Sequence, residues 1–393
     1  MSDSRSPSKL ARRHFIQSSA GALLAGASFK TVADCGGSSR TVDARERAVE
    51  AIIEPSLPIV DPHHHLWVIP ESTVTALLDS EGQFERGLGR VARTHGRYLL
   101  DDFLADATSG HNVQASVFLE AGAMYRATGP VEMRSVGEVE FANGVAAMGA
   151  SELFGKVQVC AGIVGYADLN IGDAVEEVLL AHVRAGNGRY RGVRNSTCYD
   201  PDPRILGGGQ AHTLLDKQFR AGFRQLGKLG LSFDAYLLEP QLPELIDLAN
   251  TFPDTQIILD HLGTPVGIGA YAGKRDERFP IWRNHIRAAA KCGNIVIKLG
   301  GLATALPGFA SWMSNPSFTS EQLAAEWKPY IETAIDAFGV HRCMFESDFP
   351  VASATASYVV IWNTFKRIAA GASHSEKAEL FSGTARRVYR LAT

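Results

Sequence analysis

Three short stretches of the chain carry residue types that do chemistry. Asp61-Pro62-His63-His64-His65-Leu66-Trp67 places histidines two apart, and Leu259-Asp260-His261-Leu262-Gly263-Thr264-Pro265 sets a histidine behind an aspartate. Phe345-Glu346-Ser347-Asp348-Phe349-Pro350 sets acids at the end of an apolar run. Side chains in a strand alternate with period two, so His63 and His65 should share one face with Asp61 while His64 points away. Two imidazoles on one face can share a divalent ion at about 2.0–2.1 Å, or they can form a hydrogen-bonded structural pair. Glu120, Arg194, Tyr236 and Lys298 add polar groups within or just after other apolar runs. Burying such groups without partners is costly, and several converging at one place is the pattern of an active site. Arg194 and Tyr236 suit a grip on a substrate carboxylate or hydroxyl, or a packing role. Trp67 suits an apolar pocket wall or plain core.

Eight apolar, strand-like runs must position these groups: Pro58–His64, Val113–Leu119, Lys156–Val164, Tyr190–Asn195, Leu231–Leu238, Gln256–Asp260, Ile295–Leu299 and Arg342–Ser347. Near-continuous apolar character is expected when both faces of a parallel strand are covered. Amphipathic helical patterns lie between the runs; in 213–229, Leu215, Phe219, Gly222, Leu226 and Leu229 mark one face. The alternation predicts an α/β fold, a (β/α)8 TIM barrel, with functional groups at the C-terminal strand ends. A doubly wound open sheet is the alternative, but the glycine fingerprint it would carry is absent. Residues 66–112 are too many for a simple crossover and are expected to form an insertion over the barrel mouth.

The three stretches, together with Ile297-Lys298-Leu299-Gly300-Gly301-Leu302, resemble in order the signature blocks of the amidohydrolase superfamily. The branch they are most similar to includes fuconolactone hydrolases and pyrone-dicarboxylate lactonases. The resemblance implies that His63 and His65 bind metal or, in metal-free lactonases, substrate. It implies that His261 contacts the substrate carbonyl and that Asp348 is the base that activates water. The fifth-strand histidine or modified fourth-strand lysine of typical zinc members is missing from 231–238 and 190–197. The expectation is either one divalent ion, zinc or manganese, held by His63, His65 and Asp348 with Glu120 as a fourth donor, or no cofactor. Arg194, Tyr236, Lys298 and Trp67 are the expected substrate-binding set. The function that follows is a hydrolase opening a small lactone, a sugar lactone or a carboxylated product of aromatic breakdown. The alternatives are a metal-dependent non-oxidative decarboxylase and a barrel that binds without catalysis.

Composition bounds the reading. The chain has 393 residues, is 45% hydrophobic and 21% charged, and has a net charge of −3. That balance gives no electrostatic footprint for nucleic acid, so the expected partner is a small-molecule substrate. No apolar run reaches the roughly 18 residues of a membrane span. Residues 1–33 carry five basic groups and one acid, a surplus of +4 that leaves −7 on the remainder. Arg12-Arg13 followed by a small-residue apolar stretch resembles a twin-arginine export signal, which implies a periplasmic or exported protein; without it the protein would be cytoplasmic. Residues 34–57 read as a linker and 58–393 as the barrel. The five cysteines form no C-x-x-C pair, and Cys160 and Cys343 lie in apolar runs as expected of buried thiols.

Overall fold

The computed structural model describes residues 50–315 and 317–392. The expected export leader, residues 1–33, and the first part of the expected linker lie outside the described residues. The eight expected strands are β1 Pro58–His64, β2 Asn112–Leu119, β3 Gln158–Gly165, β4 Tyr190–Arg194, β5 Ser232–Ala235, β6 Ile257–Leu259, β7 Ile295–Leu299 and β8 Cys343–Phe345. They form one parallel sheet in chain order. A bridge between His64 and Phe349, with the Asp348 amide donating to the His63 carbonyl at 3.0 Å, draws its two edges together. The result is a (β/α)8 barrel.

Strand periodicity divides the core into two layers. Val60, Val117, Leu119, Val164, Ile258, Val296 and Met344 fill the barrel interior. Ile59, Phe118, Ile257, Ile297 and Phe345 face the surrounding helices. Each fully buried aliphatic side chain contributes about 1.5–3 kcal/mol, so the alternation itself stabilises the closed sheet. Tyr389, beyond the last strand, joins the interior layer from below.

The insertion after β1 is ordered. Trp67–Val68 pairs antiparallel with Arg97–Tyr98, and this ribbon encloses two helices, α1 Glu71–Leu78 and α2 Gln83–His95. The first turn of α2 is stitched to the loop after β4: the Gln83 and Phe84 amides donate to Arg204 and Ile205 carbonyls at 2.8 and 3.1 Å. The Gly207 amide donates to Glu85 Oε1 at 2.6 Å. Residues 50–54 lie against the closing helix Tyr358–Ile368, where Asn363 and Lys366 bond the backbone of Ile53. No helix among the described residues is long and apolar enough to cross a membrane.

One expectation about β1 is corrected. Asp61 does not share a face with His63 and His65. Between Asp61 and His64, two residues of β1, Pro62 and His63, oppose one of β2, Val117, a β-bulge. The extra residue resets the alternation. Asp61 turns outward, where it accepts from Ser347 Oγ at 2.6 Å and Tyr358 Oη at 3.0 Å, and His63 and His65 turn inward.

Candidate active site

At the C-terminal ends of the strands, His63 Nε2 and His65 Nε2 lie 3.2 Å apart. Asp348 Oδ1 stands 3.7 and 3.6 Å from them. A hydrogen bond sets the tautomer of His65. His65 Nδ1 donates to the Leu119 carbonyl at 2.9 Å, leaving a lone pair on Nε2. His63 is approached by a donor at each ring nitrogen, Lys298 Nζ 3.2 Å from Nδ1 and Arg194 Nη1 3.1 Å from Nε2, with Glu346 Oε2 2.7 Å from Nδ1. Burial keeps both imidazoles neutral: His63 is pushed well below its usual pKa by desolvation and then by Lys298, and His65 is also lowered by burial.

His261 is the opposite case. Burial opposes its charge, but Glu346 and Asp348 outweigh that and raise its pKa to about 9, so it is an imidazolium at neutral pH. Its Nδ1 lies 2.8 Å from Glu346 Oε1, and its ring is 4.7 Å from that of His63. The turn that carries it is strained, with positive φ at His261 (54°), Leu262 (58°) and Thr264 (44°), and Asp348 is likewise at 54°. Such backbone is held by its surroundings and clusters at functional sites. Gly301 supplies part of that hold: its φ is +67°, and a Cβ there would lie 2.2 Å from the His261 ring. Gly301→Ala should therefore displace His261 and cost about 1–3 kcal/mol in backbone strain alone. Thermal melting and turnover of the variant check this, and wild-type values for both would refute it.

Below this group lies a buried ladder of charge. Lys298 Nζ sits 2.9 Å from Asp234 Oδ2, 3.0 Å from Asp260 Oδ1 and 3.2 Å from His63 Nδ1. Tyr389 Oη donates to Asp234 Oδ2 from the other side. Arg194 donates through Nε to Glu120 Oε1 at 2.8 Å and through Nη2 to the Glu120 carbonyl at 2.6 Å. The loop after β2 is fixed in turn by Glu138, whose Oε1 accepts from the Ala121 and Ala123 amides at 2.9 and 2.8 Å.

The structure thus brings His65, His261, Asp348, Arg194 and Tyr236 around one cleft, with His63 buried directly behind them. Three expected roles differ in position. Glu120 is turned to Arg194 rather than to the His63/His65/Asp348 cluster, because the guanidinium is the nearer buried charge. Lys298 lies one layer beneath the cleft, fully buried against Asp234 and Asp260, and does not line it. Trp67 stacks behind His65 (5.7 Å, 15°) with its Nε1 on the His95 carbonyl; it backs a histidine instead of forming the wall. The cleft is walled by Phe84 and Leu88 of α2, which no motif marked. Asp234 was also missed, although an acid inside the apolar β5 run carries the same burial signal that flagged Lys298.

The donors of His63, His65 and Asp348 lie within 4.8 Å of one another, as do those of His63, Asp260 and His261. His65 Nε2, with its lone pair free, lies 3.2 Å from His63 Nε2 beside a carboxylate, a donor set that suits one borderline divalent ion once Arg194 yields His63 Nε2. The residues present fit such an ion. Purified protein should carry about one divalent ion per chain, and His65→Asn should lose it, as measured by elemental analysis. Stoichiometric metal in His65→Asn would remove this cluster as the site.

A parallel barrel that gathers neutral histidines, an aspartate and an imidazolium at the C-terminal rim defines a barrel built for acid–base or metal-assisted chemistry. The Amidohydrolase family model matches residues 60–391, and the chain belongs to that family. It is 35% identical over 338 residues to the uncharacterized protein y4mH of Sinorhizobium fredii, covering 85% of this chain and 99% of that one. It is 29% identical over 232 residues to an L-fucono-1,5-lactonase of Burkholderia multivorans, covering 59% of this chain and 72% of the relative. Among solved structures, an amidohydrolase from Burkholderia multivorans with bound zinc superposes with a TM-score of 0.63 at 25% identity, covering 85% of this chain and 99% of that one.

Proposed function

We propose that this protein is a hydrolase that opens a small lactone. The observation that carries the reading is the convergence of Asp348, neutral His65 and charged His261 on one cleft, with neutral His63 packed against them. The similarity to an L-fucono-1,5-lactonase supports a lactone as the substrate. In this reading His261, as an imidazolium, donates a hydrogen bond to the lactone carbonyl oxygen and stabilises the developing oxyanion. Asp348 takes a proton from water as its oxygen bonds to the carbonyl carbon. The acyl C–O bond of the ring then breaks, and Asp348 returns the proton to the leaving oxygen, giving a hydroxy acid. Glu346 holds His261 in register and charged, and Arg194 orients His63. His63, His65 and Asp348 would hold a divalent ion, zinc as in the Burkholderia multivorans structure or manganese, which when bound supplies Lewis acidity.

A panel of lactones and aromatic acids, followed by acid release and by carbon dioxide release, tests this. Acid release from a lactone is expected. Carbon dioxide from an aromatic acid with every lactone inert would replace the hydrolase by a decarboxylase.

A further inference from the structure

The cleft has two unlike halves. One holds the reacting groups. The other is hydrocarbon: Phe84 and Leu88 project from α2, and Leu306 and Val351 from the loops after β7 and β8. Because the start of α2 is stitched to the loop after β4 by two backbone bonds and by Glu85, this wall is a fixed surface rather than a loose flap. Outside the reacting groups, the polar side chains lining the cleft are Arg194, which is bonded to Glu120 and His63, and the hydroxyls of Thr264, Thr304 and Tyr236. Thr304 Oγ1 already donates to the Gly301 carbonyl at 3.3 Å, while Thr264 Oγ1 makes no hydrogen bond within the chain. The cations near the cleft are each engaged: Arg194 by Glu120, Lys298 by Asp234 and Asp260, His261 by Glu346. A substrate carboxylate would therefore meet hydrocarbon on one side and Asp348 on the other, and the two cations lining the cleft, Arg194 and His261, are already paired with Glu120 and Glu346. A ring bearing many hydroxyls would leave most of them facing carbon, and buried polar groups without partners are disfavoured.

Resting on the lactone-opening reading above, we infer that the substrate is an uncharged lactone with a hydrocarbon substituent seated against Phe84 and Leu88, and with no more than one or two hydroxyls. This sets aside both the sugar lactone and the carboxylated lactone that the sequence suggested. Thr264 is the hydroxyl placed to meet a single polar substituent.

The test compares kcat/KM for δ-nonalactone, δ-valerolactone, L-fucono-1,5-lactone and 2-pyrone-4,6-dicarboxylate on the full-length protein as purified. δ-Nonalactone is expected to lead the others by about tenfold or more, the scale on which a pocket discriminates a few methylenes. Phe84→Asn and Leu88→Asn should each lower that lead, acting more on δ-nonalactone than on δ-valerolactone. A second arm measures binding by calorimetry, with the butyl-substituted δ-lactam and a polyhydroxylated δ-lactam as probes that are not turned over. If the sugar or dicarboxylate lactone is opened fastest, the inference falls and the lactone reading stands. If no lactone is opened, that reading falls, and the lactams decide the wall by themselves. Tighter binding of the butyl lactam supports an apolar substrate, and tighter binding of the hydroxylated one overturns it.

Discussion

Asp348→Asn should lower lactone turnover by about 10²–10⁴-fold, the range that a positioned general base contributes. The side chain is nearly isosteric, so the cleft keeps its shape. The backbone that aims it is independent of the carboxylate: the Asp348 amide donates to the His63 carbonyl at 3.0 Å, and its own carbonyl accepts from the Ala352 amide at 2.9 Å. What is lost is the ability to accept a proton from water. The effect should fall on kcat more than on KM, because proton transfer belongs to the transition state. Metal content measured on the same sample separates a lost base from a lost ligand. Turnover within a few-fold of wild type, with metal unchanged, would remove Asp348 from the reaction.

The second large effect is on the fold. Lys298→Met should destabilise the protein by about 3–5 kcal/mol, the usual result of removing one partner from a buried ion pair. Burial opposes the ammonium charge, yet Asp234, Asp260 and Glu346 hold it protonated more firmly than usual. Its loss strands two fully buried carboxylates that no water reaches. Asp260 is held ionised in spite of burial by Lys298, His261 and Arg194, so it suffers most. Chemical denaturation provides the measurement, and the double variant with Asp234→Asn should recover part of the loss. A Lys298→Met protein as stable as wild type would mean the carboxylates find other partners or protonate at little cost.

The barrel was legible because the signal for it is repeated eight times. Each strand was readable as an apolar run, and small errors at the ends did not change the count. His63, His65, His261 and Asp348 were legible for a related reason: in a barrel, polar residues just past a strand can only gather at one rim. Period-two alternation gives the side of a strand but not the depth. Lys298 was assigned inward correctly, yet whether it touches substrate depends on its layer, which is set by the register Lys298↔Met344 with β8. The bulge in β1 was missed for a different reason. Its mark was Pro62, a residue that within a sheet belongs at an edge or a bulge, but the period-two reading ran straight through it, so Asp61 was placed with the histidines instead of behind them. Phe84 and Leu88 lie on an ordinary amphipathic helix, and nothing in that helix tells which apolar residues face the core and which face a substrate.

Tyr389 has a consequence for how the protein is made. Its hydroxyl closes the base of the ladder at Asp234, yet it follows all eight strands in the chain. A nascent chain released through Asp348 has every strand and every reacting side chain, but not the plug beneath them. Synthesis thus has an ordered last step, in which a finished sheet waits for its floor before the ladder of charge settles. Nicking the chain between β8 and Tyr389 would uncouple the two, leaving barrel-like secondary structure above an unsupported site.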